Sequence, residues 1–453
     1  MASVGVIIFS YPICPRIEEI LVKETNQSVQ KATYLSLISG LGQFYNKQYF
    51  KGSIFLAGFV LFFVEMFLFG FEALANFVSL GTTPIVDNSL FMMIRGSLQI
   101  IVTLIFIFFY VLVIFDARNI AKRYRNGLSV NTTAKANLHS LYEDGFPYLL
   151  TLPAYLLMTF VICFPVMVTI FIAFTNYDFQ HITPFRLLDW VGFKNFLNLF
   201  VLASYRATFA SVFSWTIIWT LLATTLQIIL GIITAVIVNQ KFVKGQSFFR
   251  ILFLLPWAVP AFITIMSFSN MFNDSIGAIN AQVIPFLNHL PFVNIDAVAW
   301  KTDPFWTKTA IIMIQGWLGF PYIYVMVTGV LQSIPEEMYE AAKIDGASAF
   351  QRFSNITLPM ILFATAPVLI TQYTFNFNNF SIIYLFNEGG PGSVGSGAGS
   401  TDILISWIYK LTTGTAPQYS VAAAVTLLIS IIVISVSLIA FKKTNAFNNE
   451  EMM

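Results

Sequence analysis

Charge is scarce in this chain of 453 residues: 24 Lys and Arg and 22 Asp and Glu make up only 10% of it, against 57% hydrophobic side chains and 48 Phe. A water-soluble fold of this size cannot hide so much apolar surface, so the soluble globular class is excluded and a bilayer is the solvent. Cysteine is nearly missing as well. Cys14 and Cys163, both in apolar surroundings, are too few for a disulfide framework or a thiolate metal site. Histidine is limited to His139, His181 and His289, in separate loops without ligand spacing, so neither a metal centre nor a Ser-His-acid arrangement can be argued. Ionisable groups are almost absent from the apolar runs. A carrier driven by protons or sodium would place acids or histidines along its substrate path, and this sequence does not.

What the sequence has in abundance is runs long enough to cross a membrane, for which about 20 apolar residues are needed. Eight such runs lie near 53–71, 97–115, 148–173, 209–238, 248–271, 307–331, 361–385 and 421–441, predicting an all-α polytopic membrane protein. With the N-terminus inside, 17 bases fall on the cytoplasmic side and 7 outside. Among the 17 are Arg118, Lys122, Arg123 and Arg125 after the second run and Lys442 and Lys443 at the end. This bias places both termini in the cytoplasm. The opening "MASVGVIIFSYPIC" is too short to span and has neither a preceding basic region nor a small-residue cleavage pattern, so it is not read as a signal peptide. Residues 32–52, "ATYLSLISGLGQFYNKQYFKG", read as an interfacial helix and turn leading into the first span, with a specific binding role as the alternative. Within the spans only Glu65 is well inside a helix, and Arg95, just before the second span, is its expected structural partner.

Two polar stretches stand out between the spans. "NEGGPGSVGSGAGS", residues 387–400, lacks the Lys-Ser/Thr of a phosphate loop and is expected to be a flexible extracellular connection. "PEEMYEAAKIDGASAFQRFSNITLPM", residues 335–360, falls on the cytoplasmic side. Ser333 or Pro335 can start a helix whose first turn carries Glu336 and Glu337, the sign the helix dipole favours there. Asp345 and Gly346 end it. A second short helix, "SAFQRFSNI", is predicted to stop before Leu358 and Pro359, where the seventh span begins. Ala341, Ala342 and Gly346 have little side-chain bulk, so another surface can approach the backbone closely. The alternative, two amphipathic helices lying on the membrane, does not call for small residues in these places.

This loop carries Glu340-Ala341-Ala342, then Gly346, Ile356 and Leu358-Pro359 at the spacing of the signature loop of binding-protein-dependent ABC importer permeases, with the Asp345 and Ala347 typical of sugar importers. The chain is therefore identified as resembling that family over residues 148–441. "IAFTNYD", "WVGFKNF", "LPWAVPAFITIMSFSNMFNDSIGAIN", "GWLGFPYIYVMVTGVLQSIP", "FNFNNFSIIYLFNEGGP", "TDILISWIYK" and "YSVAAAVTLL" are similar to the larger membrane subunit of the maltose and maltodextrin importers. The resemblance implies a type I ABC importer permease core in 148–445 with a coupling loop at 332–360. An N-terminal region of two spans at 1–147 would precede it, and a cytoplasmic tail at 446–453 would follow. It implies that Glu340, Ala341, Ala342, Asp345 and Gly346 transmit force from an ATP-binding subunit rather than perform chemistry. The chain itself would be no enzyme and would bind no metal or cofactor, with ATP and Mg on the partner subunits. The implied partners are a second homologous permease, two copies of the ATP-binding subunit, an extracellular sugar-binding protein, the oligosaccharide and membrane lipid, with no nucleic acid. The implied location is a bacterial plasma membrane. One departure is the short connection between the third and fourth spans, residues 174–208, where Gram-negative maltose permeases carry a large folded insertion; it favours a Gram-positive setting.

The residues themselves also point to a sugar. Phe375, Asn376 and Asn379 are spaced i, i+1 and i+4, which on one helix sets a ring beside two amides, and Leu318 and Tyr322 repeat the i, i+4 spacing beside Trp317 and Gly319. Amides exchange hydrogen bonds with hydroxyls and rings cover the apolar face of a pyranose, which suits a neutral oligosaccharide better than an ion. The resemblance implies that Trp317, Leu318, Gly319, Tyr322, Phe375, Asn376 and Asn379 contact sugar midway through the membrane, with Gln315 and Gly316 departing from the asparagine-containing pattern of the family. The alternative is that the amides bridge helices and the aromatics fill the bundle. Rival classes for the whole chain are a secondary sugar carrier and a membrane scaffold.

Overall fold

The computed structural model describes residues 28–443 apart from positions 129, 131, 144 and 241. The apolar opening stretch, Cys14 and the tail at 446–453 lie outside the described residues. Contacts divide the chain into two units, Met1–Val168 and Thr169–Met453. Both are helical, and among the described residues the only bridges are two isolated antiparallel ones, Thr175 with Trp190 and Gly395 with Ala398.

Unit 1 opens with α1 (Val29–Leu35) and α2 (Leu41–Tyr45), which fold into a hairpin at Gly40. There φ is +96° and a Cβ would run into the backbone of Gly52 and Leu56, so both the conformation and the close approach require glycine. Two spans follow, α3 (Tyr49–Ser79) and α4 (Ser89–Arg125). They are joined by a turn in which Asn88 caps α4, its side chain accepting from the amides of Leu90 and Phe91. Phe62 and Phe106 stack between them with centroids 3.7 Å apart. The hairpin is tied to α4 by buried amides: Gln43 donates to the Val113 carbonyl at 2.9 Å and Asn46 to that of Ala117 at 2.8 Å. Lys51 pairs with Asp116 at 2.6 Å. Residues 32–52 thus form two short helices and a turn, docked on α4, that lead into the first span. Glu65 meets Gln99, whose amide donates to Oε2 at 3.1 Å, while Arg95 is exposed. The partner expected at Arg95 is supplied one turn further along the same face of α4. The unit continues through α5 (Ala134–Glu143) into the third span, α6 (Phe146–Ile172), within which the division between units falls.

Unit 2 comprises α7 (Lys194–Val201), α8 (Ala203–Val238), α9 (Gln246–Ala258), α10 (Ala261–Met271), α11 (Pro304–Ser333) and α12 (Glu336–Ile344). After these come α13 (Leu358–Phe377), α14 (Phe380–Asn387), α15 (Leu404–Thr413) and α16 (Tyr419–Lys443). Seven helical stretches among the described residues are long and apolar enough to cross a bilayer, and the bent pair α9–α10 makes an eighth if it is one broken span. The one continuous fifth helix expected over 248–271 is broken, with a bend of 88° between α9 and α10. Pro260 has no amide proton and forces the preceding residue out of the helical region; Val259 accordingly sits at φ −110°, ψ 134°.

Close packing organises this unit around α8 and α11. Gly231 of α8 leaves no room for a Cβ against Ile323, and Gly316 of α11 lies against Leu226, as small residues allow where spans cross. Three apolar clusters fill the unit, one built on Trp407 and the N-terminal half of α16, one on Trp219 and Trp300, and one on Tyr324 and Val327. The loop after α14, expected to be flexible, is instead organised around the buried carboxylate of Asp402. That group accepts from the Gly399 amide at 2.6 Å and the Ser406 hydroxyl at 2.7 Å, and it pairs with Lys410. Trp215 of α8 adds a hydrogen bond to the Thr401 carbonyl at 3.0 Å. Glycine richness here serves close approach, as at Gly389, where a Cβ would strike Asp402.

Candidate functional site

The exposed turn after α11 contains every residue singled out for coupling. Pro335 precedes α12, Glu336 and Glu337 lie in its first turn and Lys343 in its last. The helix ends in a paired C-terminal turn: the amide of Gly346 donates to the Lys343 carbonyl at 3.1 Å and that of Ala347 to Ala342 at 2.9 Å. Gly346 has φ +76°, the left-handed conformation such a turn needs. Immediately afterwards Ser348 and Gln351 cap each other reciprocally, side chain to backbone, at 3.2 and 2.7 Å. Arg352 reaches back to the Ala347 carbonyl at 2.8 Å, and the hydroxyls of Tyr339 and Thr357 meet at 2.9 Å. The result is a hydrogen-bonded bend around an open concavity of about 300 Å³, lined among others by Ala342, Asp345, Gly346, Gln351, Arg352 and Asn355. Glu340, Ala341, Asp345 and Gly346 are exposed and Ala342 is half-buried. Ile344 and Phe350, 86% and 75% exposed, offer apolar contacts on the same bend. The bend thus presents small, apolar and charged side chains together on an exposed surface.

The second short helix does not stop at Leu358. Ala349–Arg352 passes through a π-helical turn, Phe353–Thr357, directly into α13. Pro359 would remove one α-helical hydrogen bond and press its ring on the preceding turn; the wider π turn ahead of it absorbs the defect and the helix runs on.

Inside the bundle, a string of amides joins α8, α11 and α13. Asn376 is fully buried. Its Oδ1 accepts from Gln315 at 2.9 Å, its Nδ2 donates to the Thr224 hydroxyl at 2.9 Å, and its carbonyl accepts from the Trp219 indole at 2.9 Å. Asn379 donates to Gln315 Oε1 at 3.1 Å, so Gln315 bridges the two asparagines. Asn379 is not on the helix of Phe375 and Asn376: α13 ends at Phe377, Asn378 caps it, and Asn379 sits at φ −79°, ψ 81° before α14. The single helical face expected for these three is therefore replaced by a break in the span. Phe375 and Trp317 are 60% and 46% exposed, and Tyr322 is half-buried with its ring 5.9 Å from that of Trp257. Leu318 packs against the Trp219 cluster. Gly319 faces Gln227, where a Cβ would collide with the amide. Gln227 donates to Gln372 at 3.3 Å, and its Oε1 is buried with no partner among the described residues.

Sequence spacing did not single out Thr224, Gln227 or Gln372. A run of polar residues in one apolar helix, Thr216, Thr220, Thr224 and Gln227 at intervals of three and four, was the available signal, since polar side chains in hydrocarbon need partners. The whole string is neutral, so what it can exchange with a ligand is hydrogen bonds.

Residues 227–444 match the family described as the binding-protein-dependent transport system inner membrane component. The chain is 71% identical over 424 residues to the maltodextrin transport system permease protein MdxF of Bacillus subtilis, covering 94% of this chain and 98% of the relative. It is 61% identical over 432 residues to the maltodextrin transport system permease protein MalC of Streptococcus pneumoniae, covering 95% and 99%. Among solved structures, a bacterial ABC transporter involved in import of the acidic polysaccharide alginate superposes with a TM-score of 0.55 at 21% identity, over 68% of this chain and 98% of the other. That likeness is one of fold.

Proposed function

The chain belongs to the binding-protein-dependent ABC transporter permeases, and from that premise we propose that it carries maltodextrins through a bacterial plasma membrane as one of two permease subunits. Both termini face the cytoplasm. A second homologous permease completes the path, two ATP-binding subunits drive it, and an extracellular sugar-binding protein delivers the substrate. What carries the substrate reading is the 71% identity over nearly the full length to a maltodextrin permease.

In this reading the bend at Glu340, Ala341, Ala342, Asp345 and Gly346 seats in the ATP-binding subunit. The hydrogen bonds across the bend matter because a soft loop would dissipate the movement it has to pass on. The sugar lies against Trp317, Leu318, Gly319, Tyr322, Phe375, Asn376 and Asn379, rings to the pyranose faces and amides to the hydroxyls. Asn376 has its amide engaged by Gln315 and Thr224, so it takes up a hydroxyl only by exchanging one of these partners as the path opens. ATP and Mg remain on the partner subunits, and no bond in the sugar is made or broken.

The test is reconstitution of the chain with the products of its neighbouring genes, followed by ATP hydrolysis measured against a panel of sugars. Stimulation by maltose and longer maltodextrins is the expected result. Stimulation by a different oligosaccharide alone would reassign the substrate, and failure of any ATP-binding subunit to copurify would overturn the proposed subunit composition.

A further inference from the structure

We propose that the far end of α4, together with the α1–α2 hairpin, forms a binding site for the headgroups of anionic phospholipids. This rests on unit 1 alone and does not depend on which sugar is carried.

The spans of unit 1 extend well past hydrocarbon. α4 has 37 residues, about 55 Å at about 1.5 Å per residue, against a hydrocarbon core of about 30 Å. The point at which it leaves the core is marked by Asp116, paired with Lys51 and bonded to Gln43 at 3.1 Å. Beyond it, α4 presents two different sides. Ala117 and Ala121, both fully buried, receive the hairpin, with Asn46 bonded to the Ala117 carbonyl. Arg118, Lys122 and Arg125 are exposed and, at about 100° per residue, fall within an arc of about 60° bordering that seam. Among the described residues none of the three makes an ion pair. They begin about 3 Å beyond Asp116 along the axis and end about 14 Å beyond it, so Arg118 enters the headgroup layer and the long side chains of Lys122 and Arg125 reach it from its aqueous side.

The hairpin supplies the complementary apolar part. Tyr34, Leu37 and Ile38 are 72%, 57% and 47% exposed, and the Leu37 carbonyl accepts from Tyr110 of α4 at 2.8 Å. Tyr110 lies on the hydrocarbon side of Asp116, so this link fixes the apolar edge of the hairpin below the bases. A phosphodiester above and acyl chain below match this order of charge and grease. Bases serving only to orient the chain during insertion would not need a docked, hydrogen-bonded apolar edge beside them.

The experiment uses the assembled transporter in nanodiscs of phosphatidylcholine containing 30% phosphatidylglycerol, with tightly retained lipid measured by native mass spectrometry. The intact protein is expected to retain phosphatidylglycerol over phosphatidylcholine. The triple variant Arg118→Gln, Lys122→Gln, Arg125→Gln should lose that preference at least tenfold, while Arg118→Lys with Arg125→Lys keeps it and Arg123→Gln, on the other side of α4, leaves it within twofold. Inorganic phosphate at millimolar concentration should displace none of the lipid. Equal retention in the triple variant, an equal loss with Arg123→Gln, or displacement by inorganic phosphate would each overturn the proposal. Sugar-stimulated ATP hydrolysis, recorded in parallel, reports the transport reading independently.

Discussion

Gly346 shows how one residue can meet a structural requirement and also suit the proposed coupling role. Its φ of +76° lies where an L side chain costs about 1–2 kcal/mol, yet a methyl group placed there would touch no other atom of the chain: the space beside it is open. The conformation, not crowding inside the chain, demands glycine, and the empty space leaves room for a partner's surface. Gly346→Ala should therefore lower the stability of the purified chain by the conformational cost alone, about 1–2 kcal/mol. A larger group such as Gly346→Arg should abolish sugar-stimulated ATP hydrolysis by detaching or uncoupling the ATP-binding subunit while the membrane helices stay folded. Normal stimulation in Gly346→Arg, measured beside copurification of the ATP-binding subunit, would refute the coupling role. Asn376 makes the opposite case. Asn376→Leu leaves Gln315 and Thr224 without their partner in a buried seam, at about 1–3 kcal/mol for an unsatisfied group, so a drop in thermal stability should accompany the loss of uptake. Asn379→Leu removes a half-buried amide with one partner and should reduce sugar uptake with little change in melting temperature. If the two variants shift stability equally, the distinction between an anchoring and a sugar-facing amide fails.

At the scale of helices, the sequence was most legible where residues act alone and least where proline acts on its neighbours. Spans, caps and the end of α12 followed from apolar length, Glu336, Glu337 and Gly346. Pro359 read as a stop, but the helix continues, and the same solution recurs. The π turns Thr159–Cys163, Ile279–Val283 and Phe353–Thr357 each end two residues before a proline, at Pro165, Pro285 and Pro359. A widened turn keeps the backbone bonded where the missing amide would otherwise leave a carbonyl exposed. Pro260 has the other outcome because Val259 is driven to an extended conformation, and the span breaks. Nothing in the local sequence distinguishes these outcomes; tertiary surroundings decide. The amide string was legible only in part for a related reason. Gln315, Asn376 and Asn379 come from α11, from α13 and from the break after it, and periodicity within one segment cannot say which segments meet. Pro359→Ala should relax the π turn to an α-helix and rotate the coupling bend against α13. We expect sugar-stimulated ATP hydrolysis to fall several-fold with assembly retained; unchanged coupling would mean that the π turn only accommodates proline.

At the scale of the molecule, the number of crossings decides which groups can serve which side. Among the described residues seven helical stretches are long and apolar enough to cross, and the pair α9–α10, bent by 88°, is either a broken span or a loop that returns to the side it came from. The bases argue for a broken span. If α9–α10 returned, the basic end of α4, with Arg118, Lys122, Arg123 and Arg125, and the closing Lys442 and Lys443 would face opposite sides, against the rule that such clusters stay in the cytoplasm. With eight crossings they share a side, together with the bend at Glu340–Gly346. Single cysteines in a background carrying Cys14→Ser and Cys163→Ser test this by parity, because Lys244 and Ser275 are exposed on either flank of the pair. In intact cells a membrane-impermeant maleimide should label Ser275→Cys and not Lys244→Cys, and opening the membrane should expose the latter. Ser393→Cys, across one further span from Ala349→Cys, should label from outside like Ser275→Cys, while Ala349→Cys stays protected. Labelling of Lys244→Cys and Ser275→Cys from the same side would make the pair re-entrant. The described residues would then cross seven times, and the basic end of α4 and the bend at Glu340–Gly346 would lie on opposite sides of the membrane.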